Sequence, residues 1–243
     1  MAIEDTDPWI EPWVGRARPA RLATDDSGLE GASDRGTVSG EYPTGVRFEQ
    51  ACAAPERDRQ MWAETIWRFV SRTSLVHGHY TPTPSPDHYL FRERGGVVFL
   101  GFGPLQRMSP RELHRARLLH AAAVHGSERE FVERVGALLQ PRSCPIRELA
   151  ITFTRLCFQP LLRRPSRISR TFAALLESMR QTVDVPCTRR DERCMGTADV
   201  LFVAQLQCAF YSVLARLDVA VDYADVERAF WPDVDAAIRT PCR

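Results

Sequence analysis

Residues 77–107 read HGHYTPTPSPDHYLFRERGGVVFLGFGPLQR. Three prolines and three of the chain's six histidines fall in its first half. Tyr89–Phe91 and Gly96–Gly101 are apolar runs on either side of a polar turn that carries two glycines, the pattern of a short β-hairpin over about 89–100. The proline-rich part before it reads as a loop. The stretch is either a histidine-rich metal site or what remains of another catalytic loop.

Outward from it the chain turns helical. On the N-terminal side Trp62, Ile66, Phe69 and Val70 fall at helical spacing, so a helix from Phe48 to Val70 runs into the loop. On the C-terminal side Ser109, Pro110 and Glu112 spell a capping box with proline at the first helical position, and Gly126 ends that helix. Ser127 and Glu130 repeat the signal ahead of the apolar set Phe131, Val132, Val135, Leu138 and Leu139. Further helices are expected over about 146–160, 166–182 and 197–217. The last is apolar on most faces and is expected to be the most buried. Gln205, Gln207 and Arg216 interrupt it short of the ~18–20 apolar residues of a membrane span. The fold class is therefore mainly α with one short hairpin. Residues 1–40, rich in Pro, Gly, Ser and Asp, are expected to be poorly ordered or extended, and a domain is expected over 41–238. Trp62, Trp67, Phe69, Phe210, Tyr211, Phe230 and Trp231 are assigned to the core.

Composition narrows the function. A length of 243 residues with 44% hydrophobic and 26% charged residues suits a globular chain with a substantial core. A net charge of +1 argues against nucleic acid as a partner. The seven cysteines include no CxxC pair, so neither a structural zinc site nor a disulfide framework is indicated. The acidic start, MAIEDTDPWIEPWVG, lacks a basic-then-apolar leader, and a cytoplasmic location is expected. No lysine and no asparagine occur anywhere in the chain. A lysine Schiff base, a phosphate-holding lysine and an asparagine metal ligand are thereby excluded within it.

The order of helix, Pro-containing loop, hairpin and an xFG tripeptide is that of a protein kinase C-terminal lobe. Residues 77–107 resemble, without a gap, the HGxFxADPHPGNYLFxxDGxVxFLDFGxxxR segment of the UbiB/AarF atypical kinase-like family. SGEYPTGVRFEQA, from Ser39, looks like that family's hinge, and ADVLFVAQLQCAFYSVLARLDVAVDYADV, from Ala198, looks like its late helix. The resemblance spans roughly 35–230 and implies a kinase-like C-lobe. The hinge match near residue 41 leaves no room for the N-terminal lobe. The departures matter as much as the matches. Thr83 stands where the family has its loop acid, His88 where it has a magnesium-holding Asn, and Gly101 where it has the DFG aspartate, while Phe102 and Gly103 keep the rest of that tripeptide. Magnesium requires oxygen ligands, most of them anionic, and Thr, His and Gly supply no anionic oxygen.

The implied function is that of a pseudokinase-like protein without phosphotransfer. It would act as a binding or accessory factor for an isoprenoid, lipid or other apolar small molecule, or for a protein partner. The expected ligand cleft is Tyr80, Thr83, Asp87, His88 and Phe102, and no cofactor is expected. The alternative is a repurposed kinase-like fold that catalyses a non-phosphotransfer reaction on an apolar small molecule of lipid or specialised metabolism. Its candidate groups are His77, His79 and His88, because a neutral imidazole can act as a base or bind a ligand. A third possibility is a decaying gene product with no selected role. His77, His79, Asp87 and His88 also contain a two-His-one-carboxylate set suited to zinc or iron. Against it, residues two apart converge well only on a strand, and no metal is expected. Arg163, Arg164, Arg167 and Arg170 form a basic run that reads as a solvated helix start or as a patch for phosphate or for peripheral contact with an anionic membrane face. No transmembrane segment is expected.

Overall fold

Proline sets the first break in the helical body. In the computed structural model, which describes residues 44–81, 84–100, 106–139, 147–187 and 195–239, Val46–Arg47 (β1) leads into a short helix, Phe48–Cys52 (α1). The single helix expected from Phe48 is therefore two, because Pro55 can neither donate to a preceding carbonyl nor leave its neighbour helical. Pro55 is instead the N-cap of Glu56–His77 (α2), with Glu56 and Asp58 in the first turn where the helix dipole favours acids. Trp62, Ala63, Ile66, Trp67, Ser71 and Leu75 are its buried face. It ends at Gly78, whose φ of 69° lies in the left-handed region and whose N–H reaches the Ser74 and Thr73 carbonyls.

His79–Tyr80 (β2) follows, then a 3₁₀ turn at Pro86–His88, Tyr89–Phe91 (β3), a turn at Glu93–Gly95, Val97–Phe99 (β4) and Gln106–Arg107 (β5). The hairpin pairs Tyr89 with Phe99 and Phe91 with Val97. Its turn holds Arg94 at φ 56° and Gly95 at φ 79°, both left-handed, as a tight hairpin turn demands. The expectation of one isolated hairpin is too simple. β1 adds to the far edge of β3 to give the order β1-β3-β4, and β2 pairs antiparallel with β5. A third small pairing joins Ser166–Arg167 (β6) to Ala220–Val221 (β7).

Pro110–His125 (α3) and Glu128–Leu138 (α4) carry the two capping boxes read from the sequence, with Ser109 and Ser127 as N-caps. Next come Arg147–Cys157 (α5) and Gln159–Leu162 (α6), split at Phe158 ahead of Pro160. Arg170–Cys187 (α7) starts later than 166 because Ser166 and Arg167 are taken by β6. Met195–Leu217 (α8) packs against α2, α3, α4, α5 and α7. The window Val200–Leu217 is long and apolar enough to cross a membrane, but 67% of it is buried inside the protein, the state of a core helix. A last helix, Tyr223–Arg239 (α9), packs on α2 and α3 and was not expected. Asp222 Oδ1 caps it by accepting the Asp225 N–H (2.8 Å), and Tyr223, Val226, Phe230 and Val234 form its buried stripe. Pro232 lies inside it and masks the helical pattern in the sequence. Among the described residues the fold is mainly α-helical with small antiparallel sheets. The expected N-terminal segment, 1–40, lies outside them.

Candidate functional site

The loop that opened the sequence analysis is clamped at its base. The Met108 N–H donates to the Gly78 carbonyl (2.8 Å), β2 pairs His79 with Arg107 and Tyr80 with Gln106, and the Tyr80 hydroxyl donates to Gln106 Oε1 (2.6 Å). The Ser74 hydroxyl donates to the His79 carbonyl (3.2 Å) from the last turn of α2. Within the loop the Ser85 hydroxyl accepts the Asp87 N–H (3.3 Å), and the Leu100 N–H donates to the His88 carbonyl (2.8 Å). Segments before and after the hairpin are thus tied to one stem.

The expected site residues are only partly gathered on that stem. His79 and Tyr80 are half-buried on β2, His88 is half-buried at the end of the 3₁₀ turn, and Asp87 and His77 are exposed. The Tyr80 ring meets Phe202 of α8 edge-on at 5.3 Å, and burial, with a smaller push from Glu112, raises its phenol above the usual range. Thr83, Gly101 and Phe102 lie outside the described residues. Among the described residues no three of His, Cys, Asp or Glu are grouped to hold a metal, so His77, His79, Asp87 and His88 do not form the two-His-one-carboxylate set. Nor do these residues fit a magnesium–nucleotide complex. Asp87 brings the loop's carboxylate on an exposed turn, His88 brings an imidazole, and the chain has no lysine to meet phosphate.

The basic run divides in two. Arg164 turns inward and donates to the Val124 carbonyl (2.5 Å), the Ala123 carbonyl (3.4 Å) and the Leu161 carbonyl (3.3 Å), closing the C-terminal end of α3. Arg167 donates to the Asp218 carbonyl (3.2 Å) and to Glu56 (3.3 Å). All four residues are exposed to solvent, and Arg164 and Arg167 differ in having these partners.

A cluster that sequence reasoning missed lies deeper, between α3, α8 and α9. Glu227, fully buried, accepts from His120 Nδ1 at 2.8 Å through Oε2 and 3.1 Å through Oε1. The Gln207 amide lies 2.9 Å from His120 Nε2, and the Phe158 ring meets the imidazole edge-on at 5.0 Å. A carboxylate this deep is costly unless it is hydrogen-bonded, and the His120 Nδ1–H is the donor that meets it. Nε2 is then the ring's acceptor, and the Gln207 Nε2 amide N–H donates to it. Both imidazole nitrogens are therefore occupied, and the cluster as it stands offers a substrate neither a free base nor a free acid. Its signal in the sequence was polar residues on faces that are otherwise apolar: Gln207 within α8, and Glu227 beside Val226 on the face of α9.

His120 and Gln207 floor a cleft between α2, α3 and α8. Its walls are Trp67, Val70, Leu75, Met108, Val203, Leu206 and Phe210, with the Ser71 and Ser74 hydroxyls along α2. The cavity volume is about 40 Å³, and the cleft opens to solvent. No Arg, Asp or Glu is among the lining side chains. Behind it the Cys157 and Cys208 sulfurs lie 3.1 Å apart as free thiols. Burial, and then its neighbour Cys208, push the Cys157 thiol well above the ordinary range, which removes it as a nucleophile.

Fold and site together define a mainly helical chain with a clamped loop-and-hairpin module set beside an uncharged cleft. No family model matches the chain, and no curated protein is significantly similar to it.

Proposed function

We propose that the chain is a kinase-derived protein of UbiB/AarF-like ancestry, lacking phosphotransfer activity, that works in the cytoplasm as a binding or accessory factor for an apolar small molecule. One observation carries the reading. The loop stem is fully built, by Gly78, Met108 and the β2–β5 pairing, while the loop supplies an imidazole at His88 where a metal-holding amide would stand. Thr83 and Gly101 extend the same replacement in the sequence. The order of parts supports the ancestry: a long helix ending in His-Gly, the clamped loop, the hairpin, and a strand that returns to the foot of the loop. Phosphoryl transfer is catalysed by positioning and charge neutralisation, and the groups that would provide both are replaced.

Peripheral contact with an anionic membrane face would fall to Arg163 and Arg170, since Arg164 is engaged by main-chain carbonyls and Arg167 by Glu56 and Asp218. A second reading, an enzyme of non-phosphotransfer chemistry, draws on the carboxylate-oriented His120 beside the cleft and requires Gln207 to release Nε2.

The test is thermal shift and ATP hydrolysis with Mg–ATP on the full chain, alongside native mass spectrometry of what co-purifies. The expected outcome is no ATP-dependent rise in Tm, no turnover, and a co-purifying neutral organic molecule. Turnover or ATP stabilisation that His88→Ala abolishes would overturn the reading.

A further inference from the structure

We infer that Cys157 and Cys208 are a redox pair that hydrogen peroxide closes into a disulfide, stapling α5 to α8. The inference rests neither on the kinase-like ancestry nor on a ligand in the cleft.

The two sulfurs lie 3.1 Å apart, inside the contact distance of unbonded sulfurs and about 1 Å from the bonded separation of about 2.05 Å. They come from helices that pack on each other, 51 residues apart in the chain. One turn beyond Cys208 the Tyr211 hydroxyl donates to the Cys157 carbonyl (2.5 Å), so the end of α5 is already tied to α8 where the sulfurs meet. Cys157 and Tyr211 are fully buried, and close packing leaves the sulfurs little room to part. A shortening of about 1 Å lies within reach of the two side-chain torsions.

Access decides which residue reacts first. Cys157 is sealed, and burial holds its thiol protonated, so it stays inert toward dissolved reagents. Cys208 is 8% exposed and keeps what surface the pair has, an opening on the scale of peroxide rather than of a bulky disulfide. The Cys208 sulfur takes one peroxide oxygen as the O–O bond breaks, giving a sulfenic acid and water. The Cys157 sulfur then bonds to the Cys208 sulfur and displaces its hydroxyl, which leaves with the Cys157 proton as a second water. The two thiols lose two electrons in all, and the peroxide gains them. In that second step proximity at 3.1 Å supplies what thiol acidity does not. In a reducing compartment such a bond is transient, formed under oxidant and undone by thiols.

In the experiment the full chain, with its thiols reduced, is treated with hydrogen peroxide under native conditions. It is then blocked with N-ethylmaleimide in urea, digested without reduction and mapped by mass spectrometry. The expected product has lost two hydrogens, in a link between the peptides that hold Cys157 and Cys208. Fragmentation separates Cys208 from Cys194, which shares its tryptic peptide. Cys208→Ala should abolish the link, and Cys194→Ala should keep it. The bond removes freedom from the unfolded chain over 51 residues, so the oxidised protein should melt about 5–10 °C above the reduced one, a gain that dithiothreitol reverses. Mapping of the wild type decides even if a variant fails to fold. Cys157 and Cys208 recovered as maleimide adducts, after the half-buried Cys52 has been oxidised, would overturn the inference. So would a link that forms only in urea, or an oxidised chain that melts no higher than the reduced one.

Discussion

Two parts of the molecule treat their histidines in opposite ways. In the helical body His120 is 6% exposed and has both ring nitrogens engaged, one by Glu227 and one by Gln207. In the clamped loop His79 and His88 are half-buried, and among the described residues their side chains make no hydrogen bond or ion pair. A buried polar cluster of this kind is costly when incomplete, so its members hold one another and fix how α3, α8 and α9 meet. The loop carries no such obligation. The backbone bonds that close its stem, from Met108 to Gly78 and between β2 and β5, do not pass through the histidine side chains.

The largest expected effect tests that contrast directly. Glu227→Ala leaves His120 buried without its partner and should cost about 3–5 kcal/mol, enough to lower Tm sharply or unfold the chain. His88→Ala should stay within about 0.5 kcal/mol. Urea unfolding of both variants is the measurement. Similar losses in the two would mean that the loop is as tightly built as the core and that the contrast is mistaken.

The same division explains what was legible in the sequence. The capping boxes at Ser109 and Ser127 bind residues three apart, so the sequence displays them whole. The hairpin is equally local, its turn announced by Gly95 and Gly96. The cluster is not local: His120 is 107 residues from Glu227 and 87 from Gln207. No spacing rule links three helices that meet only in the folded chain. α9 was hidden by Pro232, which reads as a breaker although the helix runs through it. The β2–β5 and β6–β7 pairs are two residues long and carry no alternation to read. Of the loop region, the sequence identified the hairpin but not the stem, whose β2–β5 pairing joins residues on either side of it, and His77, His79, Asp87 and His88, though near in sequence, do not gather as a metal set among the described residues.

A medium effect sharpens the comparison at neighbouring arginines. Arg164→Ala removes three hydrogen bonds to the carbonyls that end α3 and the turn before it, and should destabilise by about 1–2 kcal/mol. Arg163→Ala, at an exposed site, should change stability by less than about 0.5 kcal/mol. Chemical denaturation with both variants separates a helix-closing arginine from a solvated one. An equal response would return the run to a single patch.

The smallest effect lies at the N-terminus of α4 and depends on pH. Glu130 Oε2 accepts from the Ser127 N–H (2.7 Å) and from the Ser127 hydroxyl (3.0 Å), while the Glu130 N–H donates back to Ser127 Oγ (3.2 Å). The Ser127 N–H first, and then its hydroxyl, hold the Glu130 carboxyl below its ordinary range. A carboxyl lowered on folding stabilises the folded chain only while it is ionised. Its contribution is complete above the unfolded value of about 4.3 and is lost as pH falls through the lower folded value. Glu130→Gln keeps the shape of the capping box and its hydrogen-bonding atoms but removes the charge that favours the helix start. The variant should therefore show a small Tm deficit at pH 7 that shrinks as the pH is lowered below the carboxylate range, where wild type and variant are both neutral at this position. Paired thermal melts across that range are the check. A deficit that stays constant with pH would assign the box to shape and hydrogen-bond geometry alone, with no contribution from the ionised carboxylate.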